Sequence, residues 1–115
     1  MHIDSYRHGR MVIDGRPETR DLILLGDEVK GNWWRAEGHV LSPDDLVTVW
    51  EHQPERLIVG TGSTGLMQPS PLLAGELARR GIELEVMPTA DAVERFNELS
   101  KDHGIDVAAA FHLTC

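Results

Sequence analysis

The chain has 115 residues, of which 41% are hydrophobic and 26% are charged, a composition typical of one globular domain. Its formal net charge is −8, and because an acidic surface repels phosphate backbones, we expect no nucleic-acid partner. The sequence has no run of ~18–20 apolar residues that would span a membrane and no signal peptide. Its single cysteine cannot form an internal disulfide. We therefore expect a single cytoplasmic domain over residues 1–115.

Two apolar runs in the first quarter of the chain predict strands. The polar residues 1–9 precede them, and we expect this segment to be loosely ordered. The first run, Met11–Ile13, leads into Asp14-Gly15, a pair that favours a turn. The second run is Asp21–Leu25. No helical pattern separates the two runs, so they predict an antiparallel β-unit at one side of the domain.

From residue 42 onward, helix and strand patterns alternate. Helices are predicted to begin at Ser42-Pro43, at Ser70-Pro71 and at Thr89, where residues that favour helix starts precede apolar residues at helical spacing. The second of these helices is predicted to bury Leu72, Leu73 and Leu77. Apolar runs predict strands at 56–59, 82–87 and 107–111, the last of them central. This order predicts a layered α/β domain with a mostly parallel sheet.

The run Gly60-Thr61-Gly62-Ser63-Thr64-Gly65 matches the pattern G-x-G-x-x-G of dinucleotide-binding folds. Its context argues against a dinucleotide site, because the strand before it does not open the domain and the next helix starts about five residues too late. Two interpretations stay open. The run is either a wide turn that needs glycines for positive φ, or a nest of backbone amides and hydroxyls that holds a small anion.

A second group of candidate residues surrounds two tryptophans. Trp33 and Trp34 could wall a pocket in which Arg35 binds an acidic ligand. Alternatively, the two rings cover one face of the sheet and Arg35 stacks on them. Gly38 and His39 follow closely and belong to the same group.

The last four residues, His112-Leu113-Thr114-Cys115, contain two residue types that bind metals. Zinc needs four ligands, and the other histidines show no spacing typical of a zinc site, so we predict no metal. His112 is then interpreted as a hydrogen-bonded histidine at a strand end, or as a charge or proton partner for a ligand.

Several short motifs occur together in an order that resembles one small protein family. They are Ile13-Asp14-Gly15, Trp34-Arg35, Gly38-His39, residues 57–62, residues 87–93, Asn97 and residues 109–115. On this combination the chain resembles the single-domain family catalogued as domain of unknown function four-nine-eight. Relatives in that family include the adipogenesis-associated domain-containing protein and a complex I assembly factor of mitochondria.

The family resemblance implies a three-layer α/β domain with flanking helices and a mixed central sheet in which one strand runs antiparallel. It implies no established enzymatic activity and no known cofactor, and it supplies no set of catalytic residues. Function within one family can differ, so the assembly role of a relative is a hypothesis for this chain.

Two functional hypotheses follow. In the first, the chain is a non-enzymatic binding or assembly-assisting protein that acts on protein partners through the glycine run and the tryptophans. In the second, it is a small-molecule enzyme or sensor in which residues 60–65 hold an anionic group. Arg35, His39 or His112 would then supply charge or a proton. The second hypothesis predicts that these residues converge with the loop amides on one cleft.

Overall fold

The computed structural model describes residues 1–102 and 104–115. The strands, in chain order, are β1 (Ile3–Arg7), β2 (Arg10–Ile13), β3 (Arg16–Glu18), β4 (Leu22–Leu25), β5 (Glu28–Lys30), β6 (Val40–Leu41), β7 (Arg56–Gly60), β8 (Gln68–Pro69), β9 (Glu83–Met87) and β10 (Val107–Phe111). A 3₁₀ turn at Pro43–Leu46 leads into α1 (Val47–His52), and the later helices are α2 (Pro71–Arg79) and α3 (Thr89–Ser100). The 3₁₀ turn, α2 and α3 begin at the predicted helix starts, whereas α1 itself begins only at Val47. Within the described ranges, no helix is long and apolar enough to cross a membrane.

Strands β5, β4, β10, β7 and β9 form the central sheet in that order. β10 pairs in parallel with β7, and β7 pairs in parallel with β9. β4 instead pairs antiparallel with both β10 and β5. The sheet is therefore mixed, as expected. In the described chain, however, two of its neighbouring pairs are parallel and two are antiparallel, so a mostly parallel sheet is not confirmed.

Strands β1, β2 and β3 form a separate antiparallel N-terminal sheet, which corrects two expectations. Residues 1–9 were expected to be loosely ordered, yet they contain β1, whose Ile3 is buried. The two early apolar runs do not pair with each other, because β2 lies in the N-terminal sheet and β4 lies beside β10. All four residues of Leu22–Leu25 are buried, and a strand gains that burial on both faces only inside a covered sheet.

Two hydrophobic clusters lie on opposite faces of the central sheet, because successive residues of a strand point to opposite sides. In β10, Ala109 and Phe111 belong to one cluster, whereas Ala108 and Ala110 belong to the other. The first cluster includes residues of α3 and of the N-terminal sheet. The second includes residues of the 3₁₀ turn, α1 and α2. The central sheet is thus the middle one of three layers.

Helix α2 corrects one predicted core position. Leu73 and Leu77, four residues apart, are buried, whereas Leu72 is 75% exposed. One step along a helix rotates the side-chain direction by roughly 100°, since a turn takes about 3.6 residues. Leu72 therefore points away from the sheet on which its neighbour packs.

Candidate functional site

The glycine run lies at the edge of the central sheet where three parallel strands end. Gly60 is the last residue of β7, Met87 of β9 and Phe111 of β10. His112 directly follows β10, and its amide donates to the carbonyl oxygen of Gly60 at 2.9 Å. This edge therefore gathers the glycine run, the start of α3 and residues 112–115. Ligands of open α/β sheets bind at the same edge.

Several backbone amides of the glycine run donate to acceptors within the protein. The pairs are Thr61 to Met87 O, Gly62 to Thr89 Oγ1 (2.8 Å), Ser63 to Thr114 O (2.6 Å) and Gly65 to Gly62 O. The two amides after the run also donate, Leu66 to Cys115 O (2.9 Å) and Met67 to Thr61 O. We call residues 112–115 the strap. The strap and the start of α3 take up donors that the nest hypothesis assigned to an anion.

The three hydroxyls of the run are engaged as well. Thr61 Oγ1 donates to Met87 O, and Thr64 Oγ1 donates to Cys115 O, each at 3.2 Å. Ser63 Oγ lies 2.7 Å from His8 Nδ1. These contacts hold the run to its protein neighbours on three sides.

Gly60 and Gly62 stand where the structure has no room for a side chain. A Cβ on Gly60 would lie 2.7 Å from Phe111 Cδ1 and 2.9 Å from Thr89 Oγ1. Gly62 has φ of +109°, and a Cβ there would overlap the backbone of Cys115. The glycines thus allow α3 and the strap to approach the loop, and Gly62 also adopts the positive φ expected of a turn.

A buried ionic cluster joins the strap to the loop that carries the tryptophans. Asp21 Oδ2 lies 2.7 Å from His112 Nδ1 and 2.8 Å from Arg35 Nη1. Asp21 Oδ1 accepts a hydrogen bond from the Leu113 amide at 2.8 Å. The Arg35 and His112 side chains are 4% and 8% exposed. One carboxylate therefore holds two separate chain segments together.

The surroundings of Asp21 favour its ionised form. Burial alone would raise the pKa of Asp21, but hydrogen bonds from His112, from the Leu113 amide and from Arg35 outweigh burial and lower that pKa. Asp21 is consequently an anion at neutral pH and pairs with the Arg35 guanidinium. Because the pair is buried and charge-assisted, losing either member leaves an uncompensated charge.

Two other nitrogens of Arg35 also donate within the protein. Its Nε and Nη2 donate to Gly38 O at 3.2 Å and 2.8 Å. The guanidinium carbon lies 4.9 Å from the centre of the Trp33 ring, which is the stacking expected from the sequence as one alternative. Arg35 therefore fixes the loop to the sheet edge, and its charge is balanced by Asp21.

His112 has one ring nitrogen in the cluster and one without a partner. Nδ1 lies 2.7 Å from Asp21 Oδ2 and 3.1 Å from Arg35 Nη2, so the carboxylate and the guanidinium both face this nitrogen. Nε2 is buried and has no hydrogen-bond partner among the described residues. The His39 ring packs edge-on against His112, with 6.0 Å between the ring centres. The Asp21 carboxylate fixes the orientation of the His112 ring, and no hydroxyl or thiol of the described residues is bonded to Nε2.

The two tryptophans have different surroundings. Trp33 Nε1 donates to Asp45 O at 2.9 Å, and its ring lies under Arg35. Trp34 is 70% exposed, and its Nε1 donates to Asn32 Oδ1 at 3.1 Å. A cavity of about 360 Å³ is lined by both rings. The pocket interpretation and the stacking interpretation each describe part of this region.

The structure brings together only some of the predicted site residues. Arg35, His39 and His112 lie in one cluster at the edge that carries the glycine run. Trp34 lines a cavity together with Arg35 and Gly38. The loop amides face the strap and α3 rather than a common cleft with these side chains.

Asp21 was not singled out from the sequence. Leu22 pairs with Phe111 across β4 and β10, so the residue before Leu22 lies opposite the residue after Phe111, which is His112. We had expected the two early apolar runs to pair with each other, so the sequence did not predict this register between β4 and β10. The one indication of a role for Asp21 in the sequence was its position directly before a wholly apolar run of four residues.

Thr89 was expected only as a helix cap, but it connects three segments. Its buried Oγ1 donates to His112 O at 2.7 Å and accepts a hydrogen bond from the Gly62 amide at 2.8 Å. Threonine is common at helix starts in any case. The sequence pattern therefore gave no separate indication of this second role.

Comparison with known proteins places this geometry in context. Residues 3–112 match the sequence model of a family described as "Protein of unknown function (DUF498/DUF598)". Over 112 residues the chain is 31% identical to the Bos taurus protein named NADH dehydrogenase (ubiquinone) 1 alpha subcomplex assembly factor 3. That match covers 95% of this chain and 59% of the bovine protein, so the chain spans about three fifths of the length of this relative.

Solved structures share the fold. The structure described as an outer membrane protein from Bartonella henselae is 27% identical, with a TM-score of 0.83 and coverage of 98% of this chain and 94% of that one. A conserved hypothetical protein from Pyrococcus horikoshii OT3 is 24% identical, with a TM-score of 0.80 over the full length of both chains. The three-layer arrangement is therefore common to chains of low sequence identity.

Proposed function

The chain belongs to the family of unknown function DUF498/DUF598, as its motifs predicted. From this membership we propose that it is a non-enzymatic, assembly-assisting protein. The observation that carries the proposal is the similarity to a named assembly factor over 95% of this chain. The proposed partners are subunits or intermediates of a respiratory NADH dehydrogenase. Because the relative is longer, the proposal concerns the part that the two proteins share.

The geometry of the sheet edge supports this proposal. The glycine run donates to the strap and to Thr89. The Arg35 charge is balanced by Asp21. Donors and charges that are satisfied within the protein are not free to bind or activate a small substrate.

Deletion of the gene in its source organism tests the proposal. We expect the amount of fully assembled NADH dehydrogenase on native gels to fall, with subunit transcripts unchanged, and to recover when the wild-type chain is expressed again. Assembly at the wild-type level in the deletion strain would contradict the proposal. The cytoplasmic location stays a prediction, and fractionation of the same cells tests it.

The alternative is a small-molecule enzyme or sensor that holds an anionic ligand near residues 60–65. One observation favours it, the buried Nε2 of His112 without a partner among the described residues. A ligand that binds only the folded state raises the apparent stability. The alternative therefore predicts that a thermal-shift screen with phosphates, nucleotides and small carboxylates gives at least one saturable rise in Tm. A uniform absence of shifts would contradict it.

A further inference from the structure

A groove beside Trp34 presents side chains that take no part in the contacts at the sheet edge. Two cavities, of about 500 Å³ and about 360 Å³, share Thr19, Arg20, Asn32 and Trp34 in their walls. Because they share these residues, the two cavities lie next to each other, around residues 17–20 and 31–35. We call this pair of adjoining cavities the Trp34 groove.

The walls of the Trp34 groove are held in place before anything binds. Gly31 lies beside the Glu18 carboxylate in the wall of the larger cavity. Asn32 has φ of +53° and accepts the hydrogen bond from the Trp34 indole. The Trp33 amide donates to Asp21 O at 2.8 Å. A groove fixed in this way needs little ordering when a partner binds.

The side chains that the groove exposes are those that dominate protein interfaces. Trp34 is 70% exposed although its indole is large and apolar. The Arg20 guanidinium lies 6.0 Å from the centre of the Trp34 ring. Tryptophan and arginine are the residue types most enriched among residues whose truncation weakens binding.

Charge identifies the chemistry of the occupant. No acidic side chain of the described residues lies within ion-pair distance of Arg20, whereas Arg35 in the same wall is paired with Asp21. A guanidinium without a partner is the natural complement of a carboxylate. The net charge of −8 opposes this pairing only weakly, because charges more than about 8 Å apart are screened at physiological salt.

We propose that the Trp34 groove binds a short segment of a partner protein that carries one acidic side chain next to an aromatic or aliphatic one. The carboxylate pairs with Arg20, and the apolar side chain packs on Trp34. Glu18 lines the larger cavity and disfavours a second acid at that end. The proposal rests on the assembly-assisting function and names the partner chemistry for it.

Selection of the full-length chain against a phage library of random heptapeptides tests the proposal. We expect enrichment of peptides with one acid beside an apolar residue. By fluorescence anisotropy, R20E and W34A should weaken binding of the enriched peptides at least 10-fold. Two matched controls should stay within twofold of wild type: R79E makes the same charge change at an exposed arginine of α2, and L72A removes an equally exposed apolar side chain.

Three results would overturn the groove proposal. They are no enriched motif, enrichment of neutral or basic peptides, and equal binding by R20E. Benzoate serves as a small-molecule comparison in the same assay. If it bound as tightly as the peptides, the groove would be a carboxylate pocket rather than a docking site.

The same variants separate this proposal from the assembly function. If both hold, R20E fails to restore assembly in the deletion strain while R79E restores it. If deletion leaves assembly intact but R20E still loses the peptides, the assembly function fails and the groove stands. If deletion impairs assembly and R20E restores it fully, the groove proposal fails alone.

Discussion

Gly62 packs directly against the backbone of the strap. Its φ of +109° strains any residue with a side chain, and a Cβ would overlap the backbone of Cys115. We expect G62A to lower the free energy of unfolding by about 3 kcal/mol, from backbone strain and the loss of strap hydrogen bonds. Chemical denaturation measures the loss.

Gly15 provides the matched control for Gly62. It also has positive φ, +80°, but a Cβ there would meet nothing within 4 Å. G15A should therefore show backbone strain alone, about 1 kcal/mol. If the two variants lost equal free energy of unfolding, the contact between Gly62 and the strap would make no measurable contribution to stability.

The buried contacts of Asp21 lead us to expect a specific pH dependence of the free energy of unfolding. Its carboxyl has a lowered pKa in the folded protein, so it stabilises the fold at pH above its unfolded value of about 3.9 and loses that contribution as the pH falls through the folded pKa. We expect D21N to cost about 3 kcal/mol at pH 7, because Arg35 is left buried without its partner. The variant should also flatten the decline in stability below about pH 4.

Urea denaturation of the Asp21 variant at a series of pH values measures both effects. D27N replaces an exposed aspartate and should follow the wild-type curve at every pH. An unchanged acid decline in D21N would show that other carboxylates control the low-pH behaviour.

At the scale of elements, Leu72 and Leu73 form a direct test of how α2 packs. Leu73 is fully buried, whereas Leu72 is 75% exposed. L73A should cost about 3 kcal/mol, since it leaves a cavity under the helix. L72A should stay within about 0.5 kcal/mol of wild type. Thermal and urea unfolding of both variants checks the pair, and a large loss in L72A would contradict the orientation of the helix.

The elements that the sequence predicted well are those defined by their own residues. Pro43, Pro71 and Thr89 mark helix starts through local backbone preferences: the 3₁₀ turn that leads into α1 begins at Pro43, α2 begins at Pro71 and α3 begins at Thr89. The partners of a strand depend on distant segments. The sequence therefore identified Leu22–Leu25 as a strand but not its place beside β10, and the pairing of Asp21 with His112 was missed for the same reason.

Polar residues 1–9 show a second limit of prediction from sequence. In β1 the buried Ile3 is followed by two exposed residues and the half-buried Tyr6, so this short segment lacks the alternation that would indicate a strand. Its order comes from pairing with β2 and from contacts with α3, which lies more than 80 residues later in the chain. For the glycine run the position at the sheet edge was predictable from the sequence. The segment that accepts its hydrogen bonds, the strap, was not.

At the scale of the whole molecule, Asn97 fastens the N-terminal sheet to α3. Its Oδ1 accepts a hydrogen bond from the Ile3 amide at 2.9 Å, and its Nδ2 donates to Ile3 O at 2.8 Å. These two bonds continue the β1 backbone onto a helix that itself packs on the central sheet. The strap adds a second attachment, since the Gly9 amide and the Tyr6 hydroxyl both donate to Leu113 O.

We expect N97A to loosen the N-terminal sheet without unfolding the central sheet. Loss of two partly buried hydrogen bonds should cost about 2 kcal/mol, and the effect should be local because regions of a protein open with separate free energies. Hydrogen exchange should speed up at amides of β1 and β2 while those of β7 and β10 keep their protection. E94A, at an exposed position of the same helix, is the control and should leave both sheets unchanged. Faster exchange in β10 to the same degree as in β1 would instead mean that the two sheets open as one cooperative unit.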